Sequence, residues 1–299
     1  MNKLHKPVLL EETLSALNIK QGRYYIDATF GRGGHSKAIL SKGGKVIAFD
    51  VDQDAISYAK DNFKSEIDNK NLILIRENFD KLEENIHKIQ SRYKIDRIYG
   101  CLFDFGSSTD QLKDLERGFS FDSDAPLDMR MDDRLGVKAA DLLQLLSDRE
   151  LTKLFWEYGG EEESRKVARE IVFRRKRGEK ISTTRQLAKL LIKIKSRSGK
   201  LHPATKVFQA LRIAVNDELT SIKKTLPQAF RILGNNGRLV TITFHEGEDK
   251  LVKHFFKNKE NLKKALLINK KIITASQKEL KQNPNSRSAK LRALEKNLS

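Results

Sequence analysis

Three observations in this sequence predict a doubly wound α/β fold interrupted by a helical insertion. Short apolar runs alternate with helically spaced segments before residue 105, a purely helical block runs from Ala139 to about Val215, and a strand-like run returns at 237–244. Alternating β and α units build a parallel sheet covered by helices on both faces. Such sheets bind ligands beyond the carboxyl ends of their strands.

The elements follow in order. Within residues 5–17, from His5 onward, Leu9, Leu10, Leu14 and Leu17 share a helix face. Tyr24 to Ile26 is the first strand; it leads through Asp27 into a turn holding Gly31, Gly33 and Gly34, with a helix from Ser36 closed by Gly43-Gly44. Glycines in such a turn permit positive φ and let a ligand approach the backbone closely. The second strand, Lys45 to Phe49, is apolar without alternation, as in a strand covered on both faces, and ends in Asp50. Nucleotide-binding folds grip ribose hydroxyls with an acid at that place. A helix over Asp54–Phe63 precedes the third strand, Asn71 to Ile75, which ends near Phe79. Leu82, Ile86 and Ile89 space as a helix, and the fourth strand from Arg97 ends in Asp104. The topology therefore gathers Gly33, Asp50, Phe79 and Asp104 at one edge of the sheet.

After Asp104 the pattern breaks into a long loop over 105–135, and a loop of that length in a compact chain is usually functional or disordered. The helical block that follows carries two basic runs, Arg165 to Lys180 and Lys189 to Lys200, as a polyanion-binding surface would. Val207, Leu211, Val215 and Leu219 form another helix face; a turn at Asn235-Asn236-Gly237 enters the strand Gly237–Phe244, and His245 lies just past its carboxyl end. Leu251 to Phe256 reads as helix, and beyond Lys257 lysine and asparagine dominate, with one short strand-like pair at Ile272-Ile273. The division expected is a first part of the α/β domain over 1–115, a helical insert over 116–215 and the rest of the α/β domain over 216–299.

Composition narrows the function classes. With 299 residues and 38% hydrophobic content the chain can bury a full core, and a net charge of +18 favours polyanionic partners through counterion release. Cys101 is the sole cysteine, so no internal disulfide forms, and nothing resembles a signal peptide; both suit a cytoplasmic protein. No stretch approaches the roughly 20 apolar residues of a membrane span. There is no G-x-S-x-G elbow, no P-loop and no zinc-type spacing of histidine and cysteine, so no metal is expected. The glycine turn itself discriminates between cofactors. A dinucleotide wants a third glycine where Ser36 stands, whereas adenosylmethionine has no pyrophosphate and tolerates a looser turn preceded by an acid, here Asp27.

At this level of detail the chain resembles a known family. Asp27-Ala28-Thr29-Phe30-Gly31-Arg32-Gly33-Gly34-His35-Ser36, Arg117-Gly118-Phe119-Ser120-Phe121, Pro126-Leu127-Asp128-Met129-Arg130-Met131-Asp132, and His202-Pro203-Ala204-Thr205 with Phe208-Gln209-Ala210-Leu211-Arg212-Ile213 and Asn216 closely resemble the bacterial 16S rRNA cytosine-N4 methyltransferases of the MraW type. The likeness extends from about His5 to Arg292. It implies a Rossmann-like class I methyltransferase sheet with an inserted all-helical domain, adenosylmethionine as cofactor, and methylation of a cytosine amine in the decoding (P-site) region of the small-subunit rRNA. By motif match the cofactor contacts fall on Gly33, Gly34, His35, Asp50, Phe79, Asp104 and Gln111. The family's D-L-G-V-S-S-P-Q reads Asp104-Phe105-Gly106-Ser107-Ser108-Thr109-Asp110-Gln111 here, and its F-H-S-L-E-D reads Phe244-His245-Glu246-Gly247-Glu248-Asp249.

Asp104, Ser107 and His245 are the candidates for the chemistry, since amino-methyltransferases carry D-P-P-Y or N-P-P-Y where this chain has Asp104-Phe105-Gly106-Ser107. The N4 lone pair is delocalised into the ring, so a hydrogen-bond acceptor must draw it toward the methyl group. Asp104 is either that acceptor or a cofactor ligand, and His245 either orients the base or merely ends a strand. A C5-directed enzyme would need a nucleophilic cysteine, and Cys101 sits inside an apolar strand. Phe119, Phe121 and Trp156 are possible base platforms, core packing being the plainer reading of Trp156; Arg117, Arg130 and the 165–180 run are candidates for phosphate contacts. A non-catalytic RNA-binding or ribosome-assembly protein on the same fold is the alternative, and the sequence leaves monomer and homodimer both open.

Overall fold

The computed structural model describes residues 7–106, 111, 114, 116–121, 123–195 and 202–297. The chain divides into two units, Met1–Gly106 with Leu219–Ser299, and Ser107–Glu218. The boundaries fall after 106 and 218 rather than after 115 and 215. The first unit ends where strand pairing ends, with the Phe105 N–H donating to the Ile242 carbonyl at 3.0 Å. At the other end the second unit keeps Glu218, whose carboxylate takes both arms of Arg212 at 2.8 and 2.9 Å.

The first unit opens with α1 (Leu10–Leu17), then alternates β1 (Tyr24–Asp27), α2 (Gly34–Ser41), β2 (Lys45–Asp50), α3 (Gln53–Asn62), α4 (Lys64–Asp68), β3 (Leu72–Arg76), α5 (Leu82–Tyr93) and β4 (Ile98–Asp104). The expected start of α1 near His5 lies outside the described residues. In the second unit α6 (Ala139–Leu145), α7 (Asp148–Gly159), α8 (Ser164–Lys176), α9 (Thr184–Ile194) and α10 (Thr205–Val215) follow one another. The chain then returns through α11 (Glu218–Ile232), β5 (Leu233–Thr243), α12 (Glu246–Asn261), β6 (Ala265–Leu267), α13 (Gln277–Gln282) and β7 (Lys290–Lys296).

The seven strands form one sheet in the order β3-β2-β1-β4-β5-β7-β6. The five from β3 to β5 are mutually parallel, and β7 runs antiparallel between β5 and β6. Strand alternation divides the side chains between two faces. Ile26, Ile47, Phe49, Cys101, Phe103 and Leu239 pack on one, Tyr25, Val46, Ala48, Leu102, Val240 and Ile242 on the other. Both faces are apolar because helices cover both, which is why the central strands read as unbroken hydrophobic runs. Cys101 is fully buried, and burial pushes its thiol well above the ordinary range, as befits a packing residue.

Three features of the first unit differ from the sequence reading. β5 begins at Leu233, not at Gly237: Ile98 pairs with Leu233 and Gly100 with Arg238, so Asn235 and Asn236 swell into a bulge, with Asn236 at φ +59°. The lysine-rich tail holds two strands, β6 and β7. Their signal is faint because β7 buries only Leu291, Ala293 and Leu294 among charged neighbours, while the Lys296 ammonium is itself buried, donating to the Leu233 carbonyl at 2.6 Å and the Arg231 carbonyl at 3.0 Å. Ile272-Ile273 is no strand of its own; Ile273 makes a single bridge to Leu291.

The second unit is held by its own core, in which Leu127, Phe155, Leu187, Val207 and Leu211 are buried. Among the described residues its helical block is interrupted by one bridge, Thr183 to Pro126, beside which the Leu127 N–H donates to the Ser182 carbonyl at 2.9 Å. Trp156 is not a core residue: it is 59% exposed on α7, because Leu151, Leu154 and Phe155 already fill that helix's inner face. No helix among the described residues is long and apolar enough to cross a membrane.

Candidate active site

The first unit brings Asp27, Asp50 and Asp104 to the carboxyl ends of β1, β2 and β4, with the glycine turn among them. Gly31 and Gly33 both take left-handed backbone, at φ +54° and +69°. At Gly33 the requirement is also steric, since a Cβ would lie 2.5 Å from Phe30 Cζ and 2.7 Å from Phe63 Cζ. The turn is tied to its acids. The Gly31 N–H donates to Asp50 Oδ2 at 2.7 Å, and the Ser36 hydroxyl donates to Asp27 Oδ2 at 2.7 Å. The Asp52 N–H donates to Asp50 Oδ1 at 2.9 Å, so both Asp50 oxygens accept from the backbone and each keeps one lone pair for a ligand hydroxyl.

His35 is buried in the first turn of α2, with Nε2 3.1 Å from the Val8 carbonyl and Nδ1 3.8 Å from Asp104 Oδ2. Asp104 is fixed through its own backbone, whose N–H donates to Thr29 Oγ1 at 2.8 Å. Its Oδ1 is buried and takes no hydrogen bond among the described residues. Phe79 opens a 3₁₀ turn (Phe79–Lys81) and meets Phe103 and Phe105 edge-on at 5.8 and 5.9 Å, while those two rings stack at 5.2 Å. An aromatic wall thus lies beside the end of β4.

Past β5, His245 is the N-cap of α12, and the buried Glu248 three residues on closes the turn. Glu248 Oε2 accepts from the Phe244 N–H at 2.7 Å and the His245 N–H at 3.3 Å, and His245 Nε2 stands 3.0 Å from Oε1, off the hydrogen-bonding direction. Thr29 and Glu248 are positioning residues that the sequence reading did not single out. For Glu248 the signal was present, as an acid at the third position of a helix start.

The electrostatics of this edge are one-sided. Burial pushes the Asp27 carboxyl up, against the opposing pull of the Ser36 and Thr29 hydrogen bonds. Burial likewise raises Asp50, to about 6. Asp104 is pushed well above the carboxylate range, by burial first and then by the neighbouring charges of Asp27 and Glu248. A site of crowded acids with an unused buried oxygen suits a cationic ligand, whose charge would restore their ionisation.

Asp50 carries a pH signature. Its folded value, about 6, exceeds the ordinary 3.8, so its contribution to stability is full below about 3.8 and is lost as pH rises through 6. The stability of the ligand-free chain relative to an Asp50→Asn variant is expected to fall by about 2 kcal/mol between pH 4.5 and 7. Urea titrations of both proteins at the two pH values measure this; a constant difference would exclude a raised Asp50.

Not every candidate joins this edge. Ser107, with Ser108, Thr109 and Asp110, lies outside the described residues. Gln111 is buried and belongs to the second unit. In that unit Arg130 is bidentate to Asp128 at 2.6 and 2.9 Å and donates to the Asp133 and Leu135 carbonyls, while Arg117 donates to the carbonyls of Arg130 and Met131. Their guanidinium groups stitch the loop, which leaves them little to offer phosphates. Phe119 is buried, and Phe121 stacks on His202 at 4.3 Å.

The model of a family described as the MraW methylase family matches residues 2–297. A protein of Wolbachia sp. subsp. Drosophila simulans named Ribosomal RNA small subunit methyltransferase H is 43% identical, over 98% of this chain and 99% of its own length. Its namesake in Lactobacillus johnsonii is 43% identical over 98% of each chain. The one in Dehalococcoides mccartyi strain BAV1 is 39% identical over 98% of this chain and 86% of its own.

Proposed function

The chain belongs to the MraW methylase family, and from that premise we propose that it methylates the N4 amine of a cytosine in the decoding region of the small-subunit 16S rRNA. As a member it is an adenosylmethionine-dependent rRNA methyltransferase with a Rossmann-like sheet. The ribosomal small subunit in the cytoplasm is the context proposed with it.

The observation that carries the reading is Asp104: a carboxylate at the end of β4, raised well above its ordinary range, with Oδ1 buried and unbonded. The residues present fit the cofactor. Asp50 retains lone pairs for ribose hydroxyls, the Gly33-Gly34-His35 turn lets a ligand approach the backbone, Phe79 offers an aromatic flank, Gln111 is assigned by motif, and the crowded acids suit a sulfonium. When bound, adenosylmethionine supplies a methyl group on a cationic sulfur that leaves as a neutral thioether. Asp104 Oδ1 accepts a hydrogen bond from the N4 amine, which localises the lone pair on nitrogen. The amine must shed one proton when its nitrogen is methylated, and Asp104, ionised while a cationic donor is bound beside it and favouring its protonated form once that charge is gone, would take it. Glu248 holds the Phe244 and His245 backbone, so the imidazole can be presented to the base. Ser107 stands with them as a candidate on motif alone.

The test is methyl transfer from labelled adenosylmethionine to small subunits from a strain lacking this gene, with the modified nucleoside identified by mass spectrometry. N4-methylcytidine is the expected product. Transfer to another atom or nucleoside would overturn the regiochemistry, and cofactor binding without transfer would favour the non-catalytic RNA-binding reading.

A further inference from the structure

Within the second unit, α8 and α9 flank a groove whose lining joins exposed cations to an exposed aromatic ring. Arg165, Arg169 and Phe173 recur at four-residue steps along one face of α8, and Lys193 faces them from α9. Each step advances about 6 Å along the helix. Phe173 is 54% exposed, and the Arg177 guanidinium lies 5.5 Å from its ring centre. The unit's apolar core is complete without it, Val167, Ala168 and Ile171 supplying the inner face of α8.

The cations of the groove divide into two groups. Arg174 is held by Glu170 and Glu179, at 2.9 and 3.2 Å, and Lys166 donates to the Ile194 carbonyl at 2.6 Å. Arg165 and Lys193 make no ion pair among the described residues, and Arg169 comes no nearer than 3.9 Å to Asp148. The first group shapes the wall, while the second leaves exposed positive charge along the groove that Phe173 lines. A stacking surface beside cations that are unpaired or only loosely paired is the arrangement that holds single-stranded nucleic acid, because every base has a π face and every linkage a negative charge. A duplex would present only its backbone and leave Phe173 unused.

We propose that the α8–α9 groove docks a single-stranded stretch of RNA, one base stacking on Phe173 while Arg165, Arg169 and Lys193 take flanking phosphates. The proposal rests on the reading that the substrate is RNA, and it adds where an unpaired segment lies. The probe is a fluorescently labelled single-stranded RNA 12-mer titrated with the full chain, alongside a duplex of the same length. Phe173→Ala is expected to weaken single-strand binding roughly five- to hundredfold and leave duplex binding nearly unchanged. Arg165→Gln with Lys193→Gln is expected to lower the salt slope by about 0.7 for each charge removed. These side chains are exposed, so the variants keep the parent fold, as thermal melts would verify. Equal single-strand affinity for the parent and Phe173→Ala would overturn the proposal, as would equal losses for strand and duplex, or a preference for phosphatidylglycerol vesicles over the RNA. Parallel methylation assays separate the two readings. Transfer that persists with an inert groove removes this inference alone, whereas groove-dependent RNA binding without transfer removes the enzymatic reading alone.

Discussion

Asp104→Asn is expected to lower methyl transfer at least about a hundredfold while leaving the sheet intact. The amide fills the same volume, and the backbone N–H that anchors this residue on Thr29 Oγ1 is untouched. What is lost is the ability to accept the proton shed by the amine, and the negative charge beside a cationic donor. Because the folded site strains against ionising Asp104, removing the acid should raise the melting temperature of the ligand-free protein rather than lower it. Single-turnover transfer to small subunits at saturating adenosylmethionine is the decisive assay. If Asp104 only holds the cofactor, raising its concentration rescues the rate; if Asp104 takes the proton, no concentration does. A variant within threefold of the parent would remove Asp104 from the chemistry altogether.

Glu161→Ala should be the most damaging single change in the helical unit, destabilising it by about 3–5 kcal/mol. Glu161 and Lys195 are nearly buried, with side-chain exposures of 3% and 12%, and their charged ends meet at 2.6 Å. The same ammonium donates to the Pro203 carbonyl, and Glu161 Oε1 accepts from the Glu163 N–H at 3.1 Å. The pair therefore ties the start of α8, the end of α9 and the approach to α10 at one point. Alanine would leave the lysine's charge nearly buried without its counter-ion, which costs more than the lost attraction alone. Urea unfolding followed by far-UV circular dichroism reads the loss, and Glu161→Leu combined with Lys195→Met should recover most of it. A double variant as unstable as the single one would show that the packing, not the stranded charge, was responsible.

Much of the site was legible because α/β physics writes it in local code. Gly33 announces a positive φ, and Asp50 and Asp104 stand at the ends of apolar runs that can only be central strands. What escaped was carried by long-range pairing. β7 looks like a charged tail because only Leu291, Ala293 and Leu294 point inward, and its place between β5 and β6 is invisible until the sheet is assembled. Thr29 has no signature of its own, since its role is to receive an N–H from Asp104, 75 residues away. Trp156 misled for the opposite reason: a large apolar side chain suggests a core, yet its helix already had one. Arg117 and Arg130 read as phosphate ligands from charge alone, and only their bonded carbonyls and carboxylate show them as loop staples.

The late position of β7 also sets the order in which a growing chain can become itself. Residues 107–218 are contiguous, so everything their unit needs has left the ribosome once residue 218 is clear of it. The sheet has no such independence. Its five parallel strands are complete at Thr243, but the strand that pairs with β5 and carries β6 arrives only with residues 290–296. Until then β5 presents an open edge, and the Leu233 carbonyl lacks the lysine that caps it in the finished fold. The helical unit can thus fold before the sheet is finished, and synthesis of β7 is the step that completes the sheet.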